Sequence, residues 1–260
     1  MKKIINNIKE EYQNKDKKVV IVYLILSLLV VVCLIREIIN SDIKSVITCT
    51  VTLLLFLMPT IIHRKFKITF SSTLEIMIYI LVFSSEILGE VLAFYLNIKI
   101  FDTILHLLYG FVMAGIGFSL IDILNNNKEE KLNLANKFII LFSICYGVTT
   151  GVSWEIFEYG MDKVFKTDMQ KDTIITEISS VKLNDKGDNK TKTIEIQSLV
   201  VNGEDCIEKY GGYIDIGLND TMKDIIINLI GAIIFSLVGY SYLKGENKFA
   251  SNFMLTKEIK

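Results

Sequence analysis

Six long apolar segments constrain this chain more than any other feature of its sequence. They cover residues 19–35, 46–62, 74–96, 103–124, 138–159 and 222–243. Each approaches the roughly 20 residues that a helix needs to cross a bilayer when flanking side chains reach the interfaces. Hydrophobic residues make up 51% of the chain, and its mean hydropathy is +0.45. The sequence therefore predicts an all-α integral membrane helix bundle with about six transmembrane helices.

Basic residues in the short connections predict the orientation of these helices. Lysines are frequent before the first segment, and basic side chains follow the second, fourth and sixth segments, whereas the other short connections contain few. An excess of Lys and Arg marks cytoplasmic loops, so both termini are predicted to be cytoplasmic. The predicted parts are a cytoplasmic segment 1–18, helices one to five in 19–162, an extracytoplasmic insertion 163–218, helix six in 219–243 and a cytoplasmic tail 244–260.

The insertion is long and polar, but two of its stretches alternate apolar and polar residues. These stretches, 173–183 and 191–201, flank a sequence with Asp185, Lys186 and Gly187 at its centre. Such alternation around turn-forming residues is typical of a β-hairpin. We therefore expect a small extracytoplasmic β-hairpin that packs over the end of the bundle or on itself, because a lone hairpin is only marginally stable in water.

Charge and motif content exclude several function classes. The net charge is −1 and no sustained basic block is present, so nucleic acid is not an expected partner. The four cysteines show no CxxC spacing, which argues against a disulfide framework or a thiolate metal site. No Gly-x-Ser-x-Gly elbow, phosphate-binding loop or His-Glu-x-x-His sequence occurs. The lipid bilayer is the partner that remains, and the sequence leaves the oligomeric state open.

Acidic residues interrupt the apolar segments at helical spacing. Glu155, Glu158 and Asp162 follow an i, i+3, i+7 pattern, so they share one side of the fifth helix. Further polar residues in helices three, four and six are Glu86, Glu90, Asp102, His106, Asp220, Asp224 and Asn228. Under the predicted orientation all of these groups lie in the outer half of the membrane. Ionisable groups at membrane depth are costly and usually mark a functional site.

A divalent metal ion would relieve the repulsion among so many carboxylates. Oxygen-rich ligation with one imidazole suits Mg²⁺, Mn²⁺, Fe²⁺ or Zn²⁺, and carboxylates from facing helices form such sites in bundles. The predicted metal ligands are Glu86, Glu90, Asp102, His106, Glu155, Glu158, Asp220 and Asp224, with Asn228 in support. Candidate catalytic residues are Glu155, Glu158 and Asp162. Proton sharing without a metal would use the same residues, and Asp102 and Asp220 also suit helix caps.

Three functions are compatible with this pattern. The first is a metal-dependent enzyme that acts on a lipid or envelope component, with a spare carboxylate as base. The second is a proton- or ion-coupled transporter, which requires a polar path to the cytoplasmic side. The third is a non-catalytic membrane scaffold, which is favoured if the carboxylates are dispersed. The sequence does not choose a substrate or a reaction.

The polar residues of helices three to six also resemble a known pattern. It consists of Asp102-x-x-x-His106-x-x-x-Gly110, Trp154-Glu155-x-x-Glu158 and Asp220-Thr221-x-x-Asp224-x-x-x-Asn228-x-x-Gly231-Ala232. The pattern resembles the YjdF-like family of small multi-pass bacterial membrane proteins, and the final helix more distantly resembles VanZ-like proteins. The resemblance implies the fold, a membrane location and the importance of the acidic residues, but it implies no reaction. The insertion before helix six departs from the compact form that the resemblance implies.

Overall fold

The computed structural model of this chain describes residues 15–125 and 133–257, most of which are helical. The chain divides into two compact units, Met1–Gly151 with Ile227–Lys260 and Val152–Ile226. Two long helices, α7 (Asn136–Phe165) and α9 (Leu218–Leu243), contribute residues to both units.

Five helical stretches of the described chain are long and apolar enough, by length and composition, to cross a membrane. They are α1 (Lys17–Asn40), the stretch Ile43–Phe66, α6 (Phe101–Asn125), α7 and α9. The second stretch contains two helices, α2 (Ile43–Leu55) and α3 (Met58–Phe66), with Pro59 near the start of α3. Proline is tolerated there because the first amides of a helix have no intrahelical acceptor. These stretches coincide with the first, second, fourth, fifth and sixth predicted segments.

The predicted third helix, 74–96, is divided into shorter elements. These are α4 (Ser72–Phe83), a π-helix (Ser84–Val91) and α5 (Phe94–Asn97). Ala93, between the last two elements, has a left-handed φ of 56°. A non-glycine residue rarely adopts that conformation, and it cannot continue a right-handed helix. The count of six transmembrane helices therefore stays a prediction, with five stretches of sufficient length in the described residues.

In the first unit, α1, α2 and α4 pack around three aromatic rings. The centroid of Tyr79 lies 5.6 Å from that of Tyr23 and 5.4 Å from that of Phe56. Beside them, the buried carboxylate of Glu75 accepts hydrogen bonds from the Tyr79 hydroxyl at 2.7 Å and from Lys15 Nζ at 2.5 Å. A buried charge is stable only when it is paired in this way. The contact joins the residues before α1 to α4.

The segment after α9 also packs into the first unit. It forms a 3-10 helix (Phe249–Phe253) and strand β8 (Leu255–Lys257), which pairs antiparallel with β1 (Ile68–Phe70). Leu255 N donates to Ser119 Oγ at 3.0 Å. The buried residues of the segment are Ala250, Phe253, Met254 and Leu255. The sequence predicted only a mixed, polar cytoplasmic tail at 244–260 and assigned it no chemistry, whereas the described part of this segment contributes to the core.

The second unit contains the insertion, which forms small antiparallel strand pairs. Its elements are β2 (Ile174–Ile175), β3 (Glu177–Ser180), a 3-10 turn (Val181–Leu183), β4 (Lys192–Glu195), β5 (Val200–Val201), β6 (Glu204–Asp205), α8 (Cys206–Tyr210) and β7 (Tyr213–Ile214). The pairs are β2 with β7, β3 with β4, and β5 with β6. In the second pair Ile178 lies opposite Ile194. These strands are shorter than the predicted stretches, and an extracytoplasmic hairpin stays a prediction.

Candidate functional site

Helices α6, α7 and α9 approach one another closely in the first unit because small residues line their contacts. A Cβ atom on Gly110 would lie 2.0 Å from the backbone oxygen of Asn228, and one on Gly231 would lie 2.1 Å from the backbone oxygen of Leu107. A Cβ atom on Gly147 would lie 3.0 Å from Ala232 Cβ. Backbones in membrane bundles approach to this extent only at small residues. The glycines therefore fix how these three helices pack.

Hydrogen bonds run along the same contact. Ser143 Oγ donates to the Ala114 carbonyl oxygen at 2.8 Å, and Ser236 Oγ donates to Ser143 Oγ at 3.2 Å. Asn228 Nδ2 donates to the Gly147 carbonyl oxygen at 3.0 Å. Side-chain hydrogen bonds between helices stabilise membrane bundles and fix their register. We therefore place Asn228, a predicted supporting residue, within the helix contact.

The Asn228 carboxamide is only partly satisfied. The residue is 1% exposed, and its Oδ1 accepts no hydrogen bond from any described residue. A buried acceptor without a donor costs free energy, commonly about 1–3 kcal/mol. Such a group in a native protein calls for an explanation, and an unseen ion or water is one of the usual ones.

Asp102 and His106 lie one turn apart at the start of α6. His106 Nε2 is 3.4 Å from Asp102 Oδ1, and both side chains are partly buried. The carboxylate therefore lies close enough to orient the imidazole, as in carboxylate–histidine pairs at metal sites. The structure thus brings together one of the predicted ligand pairs.

Glu86 and Glu90 lie in the π-helix of the first unit. Glu90 Oε2 is 3.3 Å from Lys44 Nζ, and Glu86 Oε1 accepts from Ser85 Oγ at 3.3 Å. Insertions of π-helix occur frequently at functional sites because they change the direction in which side chains point. A metal at Glu90 would have to compete with the Lys44 ammonium.

Glu155 and Glu158 lie on α7 in the second unit. Glu155 is 4% exposed, and Glu158 Oε1 accepts from Trp154 Nε1 at 2.7 Å. The indole ring of Trp154 also packs against Phe157, with 5.3 Å between the ring centroids. A packed indole donor restricts where the Glu158 carboxylate points. Glu155 is therefore the more deeply buried of the two candidates, and the Trp154 indole orients Glu158.

Asp162, a predicted catalytic candidate, accepts hydrogen bonds from the first residues of the insertion. Its oxygens accept from Thr167 Oγ1 at 2.8 Å, from Met169 N at 2.7 Å and from Gln170 N at 2.9 Å. Backbone amides just after the end of a helix have no carbonyl partner within the helix, so they need another acceptor such as this carboxylate. Because both carboxylate oxygens are engaged, a structural role accounts for this residue.

Asp220 and Asp224 surround a lysine on the first turns of α9. Lys223 Nζ lies 3.7 Å from Asp220 Oδ1 and 3.5 Å from Asp224 Oδ1. Asp220 Oδ2 accepts from Lys171 N at 2.9 Å, which joins the insertion to α9. Asp224 is 2% exposed. Sequence reasoning left Lys223 out of the site, although an ion pair at i, i+3 spacing to Asp220 is a readable signal.

Asp215, which sequence reasoning did not select, holds the end of the insertion. It accepts from Thr173 N at 2.9 Å, Gly217 N at 3.1 Å, Asn219 N at 3.2 Å and Asn219 Nδ2 at 2.8 Å. Burial alone would raise the pKa of Asp215, but these hydrogen bonds outweigh it and hold the pKa below the usual range. The sequence did carry a signal for this role: an aspartate two residues before a glycine is typical of a turn, and here the turn precedes a helix.

We expect the insertion to loosen in acid because of Asp215. A carboxyl group whose pKa is lower in the folded state stabilises that state above its unfolded pKa of about 3.9 and loses the effect as the pH falls through the folded value. Hydrogen exchange in peptides from residues 170–221, corrected for intrinsic rates, should be faster at pH 3 than at pH 7. Asp215→Asn should show fast exchange at both values. Asp185→Asn, on a 96% exposed side chain, is the control and should behave as the wild type.

Comparison with known proteins identifies the family to which this chain belongs. A family described as "Predicted membrane protein (DUF2238)" matches residues 21–245, and the chain belongs to it. No curated protein and no solved structure matches the chain. The chain is thus a membrane protein with several apolar helices. A YjdF-like character is consistent with this family, whereas the VanZ-like relation stays a prediction.

Proposed function

We propose that this protein binds a divalent metal ion in the outer half of the membrane and acts there as a metal-dependent enzyme on a lipid or envelope component. The proposed orientation has both termini in the cytoplasm and residues 163–218 outside the cell membrane. Six transmembrane helices, including the divided third one, belong to the proposal. The helix packing of the first unit is the observation that carries the metal site.

That packing involves one row of residues on each of three helices. Members of a row recur every four positions and so lie on one helix face. The rows are Gly110 and Ala114 on α6, Ser143, Gly147 and Gly151 on α7, and Asn228, Ala232 and Ser236 on α9. The contacts of Gly110 with Asn228, of Gly147 with Ala232 and of Ser143 with Ser236 join these rows. We call them the small-residue rows.

Each row can be extended by one helical turn, and in each case the next residue at four-residue spacing has a metal-ligating side chain. The row on α6 continues to His106, the row on α7 to Glu155 and the row on α9 to Asp224. Helical continuity in all three elements supports the expectation that these groups lie on the same faces as the rows they extend. With Asp102, which already pairs with His106, they form the ligand set that we propose.

The chemistry of this set suits a hard or borderline divalent ion. Carboxylate oxygens with one imidazole fit Mg²⁺, Mn²⁺, Fe²⁺ or Zn²⁺. The unsatisfied Oδ1 of Asn228, one turn from Asp224 along α9, supports a bound cation or a water held by one. The other predicted ligands already have partners in the chain. Glu90 and Asp220 pair with lysines, as Asp224 does. Glu86 and Glu158 accept hydrogen bonds from Ser85 and Trp154.

In the proposed reaction, Glu158 serves as the base. Trp154 holds its carboxylate in one orientation, which a proton acceptor requires. A bound divalent ion supplies Lewis acidity for hydrolysis. The buried environment of Glu155 and Asp224 excludes bulk water, which strengthens electrostatic interactions within such a site. Asp162, with both oxygens engaged, is left out of the catalytic set.

One observation favours a proton- or ion-coupled transporter as the second candidate. The buried hydroxyl groups of Ser119, Ser143 and Ser236 lie on the same three helices as Asn228 and the small-residue rows, and Ser236 donates to Ser143. We call these three groups the hydroxyl series. A transport path needs polar groups of this kind. Against it, Leu255 N donates to Ser119 Oγ, so the C-terminal segment covers one group of the series.

Metal content tests the proposal. Full-length protein is purified in detergent, incubated with Mn²⁺ or Zn²⁺, freed of unbound ions and subjected to elemental analysis. We expect a stoichiometric ion in the wild type and at least an approximately tenfold lower content in His106→Ala and Glu155→Gln, because each loses a ligand. Glu195→Gln, an exposed residue of β4, is the control and should keep the metal. An absence of metal in the wild type, or its retention in both ligand variants, would reject the site.

A further inference from the structure

We propose that Lys223 is an internal cation that neutralises the acidic start of α9 until a divalent ion replaces it, so that the site takes metal as an exchangeable ligand. This inference rests on the proposed metal site. It adds that the ion is not a permanent cofactor.

Lys223 lies between two carboxylates of very different exposure. Its Nζ is 3.5 Å from Asp224 Oδ1 and 3.7 Å from Asp220 Oδ1. The Asp224 side chain is almost fully buried, whereas nearly half of the Lys223 side chain is exposed. A buried carboxylate requires a positive partner, because desolvating an unpaired charge is costly. The ammonium group meets that need from the surface side of the pair.

The ammonium group can leave while the carboxylates stay. Lysine has a long flexible stem and a strongly hydrated head, so a partly exposed lysine has an accessible position in water. Asp220 remains held by Lys171 N at 2.9 Å when the ammonium moves. Asp220 is thus positioned independently of Lys223, and the position that Nζ leaves lies beside one oxygen of each aspartate.

The unsatisfied carboxamide oxygen of Asn228 supports a second occupant. It lies one turn along α9 from Asp224, is buried and accepts no hydrogen bond from the described residues. An ammonium group that is already shared between two aspartates does not satisfy it. A divalent ion, or a water molecule that it holds, provides the missing partner for a neutral oxygen and carries more charge than the ammonium.

Competition between the two cations follows from their charge. A divalent ion coordinated by Asp224 would lie within a few ångströms of Nζ, and repulsion at that distance exceeds thermal energy even with strong screening. Binding therefore requires the ammonium to move outward. Replacing Lys223 by methionine removes this competitor and should tighten Mn²⁺ binding by about tenfold, a value that already allows for screening at a half-exposed group.

The test compares two lysines of the second unit. Mn²⁺ is titrated into the detergent-solubilised full-length chain, and unbound Mn²⁺ is measured by its electron paramagnetic resonance signal. We expect a lower dissociation constant in Lys223→Met and a value near that of the wild type in Lys223→Arg. Lys163→Met removes the same charge from a lysine that lies over the Tyr159 ring, and it should leave the constant unchanged.

A second measurement needs no metal. Thermal unfolding in a chelator is recorded for Lys223→Met, Asp224→Asn and the double variant. If Lys223 neutralises Asp224, the double variant should be more stable than the sum of the two single effects predicts. Binding that is unchanged or weaker in Lys223→Met, or additive unfolding effects, would overturn the inference alone. A failure of every variant and of the wild type to bind Mn²⁺ would overturn the proposed metal site as well.

Discussion

Gly231→Ala should destabilise the bundle strongly, although it adds only one methyl group. The new Cβ would lie 2.1 Å from the Leu107 carbonyl oxygen and 3.0 Å from Phe111 N. Both atoms belong to the backbone of α6, so no side chain can rotate away and the helices must separate. Overpacking of a close contact typically costs about 1–3 kcal/mol and occasionally more. We expect the upper end of this range, because the neighbouring contact of Gly110 with Asn228 depends on the same approach.

The measurement is the unfolding midpoint of purified protein in mixed detergent micelles. Gly160→Ala makes the same chemical change on α7, where nothing in the described chain lies within 4 Å of the added atom. Alanine is a better helix former than glycine by up to about 1 kcal/mol, so this control should be as stable as the wild type or slightly more so. Equal stability of Gly231→Ala and the wild type would show that α6 and α9 do not approach as closely as described.

The same substitution bears on the proposed site. Gly231 lies three residues after Asn228, and the contact it allows aligns α9 with α6. We therefore expect Gly231→Ala to lower metal content together with stability, whereas His106→Ala should lower metal content alone. This difference separates residues that position the helices from residues that would hold the ion.

Hydropathy was sufficient to predict most of the membrane helices, because helices in a bilayer must satisfy their own backbone. It was insufficient for the segment 74–96. A run of apolar residues does not reveal a π-helix or the left-handed Ala93, since both depend on how neighbouring elements pack. Local sequence reports the periodicity of side chains, whereas a break inside an apolar run is set by tertiary contacts.

The acidic residues show a similar limit. Spacing placed Glu155, Glu158 and Asp162 on one helix side, and it could not distinguish a carboxylate that is buried from one that accepts backbone amides. Asp162 and Asp220 accept amides from the first part of the insertion, whose path is not readable from periodicity. Glycines at four-residue spacing were readable, and their contacts are what support the proposed ligand set.

Removing the C-terminal segment should have the largest effect of all. A chain that ends at Lys248 lacks the 3-10 helix and β8, whose Phe253, Met254 and Leu255 are buried. Phe253 packs edge-on against Phe111, with 5.1 Å between the ring centroids. Deleting one buried phenylalanine side chain commonly costs about 3–5 kcal/mol. We expect the truncation to cost on the order of 5 kcal/mol or more and to prevent recovery of monodisperse protein.

Two variants keep this prediction measurable when the truncated chain does not fold. Phe253→Ala should lose about 3 kcal/mol of stability in the same micelle assay, because it leaves a cavity beside Phe111. A chain that ends at Lys257 retains the whole described segment, including the pairing of Leu255 with Phe70, and should match the wild type. A chain ending at Lys248 with the stability of the wild type would show that the segment is dispensable for the fold.

The truncation also separates the two candidate functions. The hydroxyl series that a transporter would use includes Ser119, where Leu255 N is bound. If this series conducts protons or ions, loosening the segment with Phe253→Ala should raise the flux through liposomes that contain the protein. If the protein is an enzyme whose site opens only to the outer side, the flux should stay at the level of empty liposomes in the wild type and in the variant. Unchanged flux combined with retained metal would favour the enzyme, because the bound ion would then have no route to the cytoplasmic side.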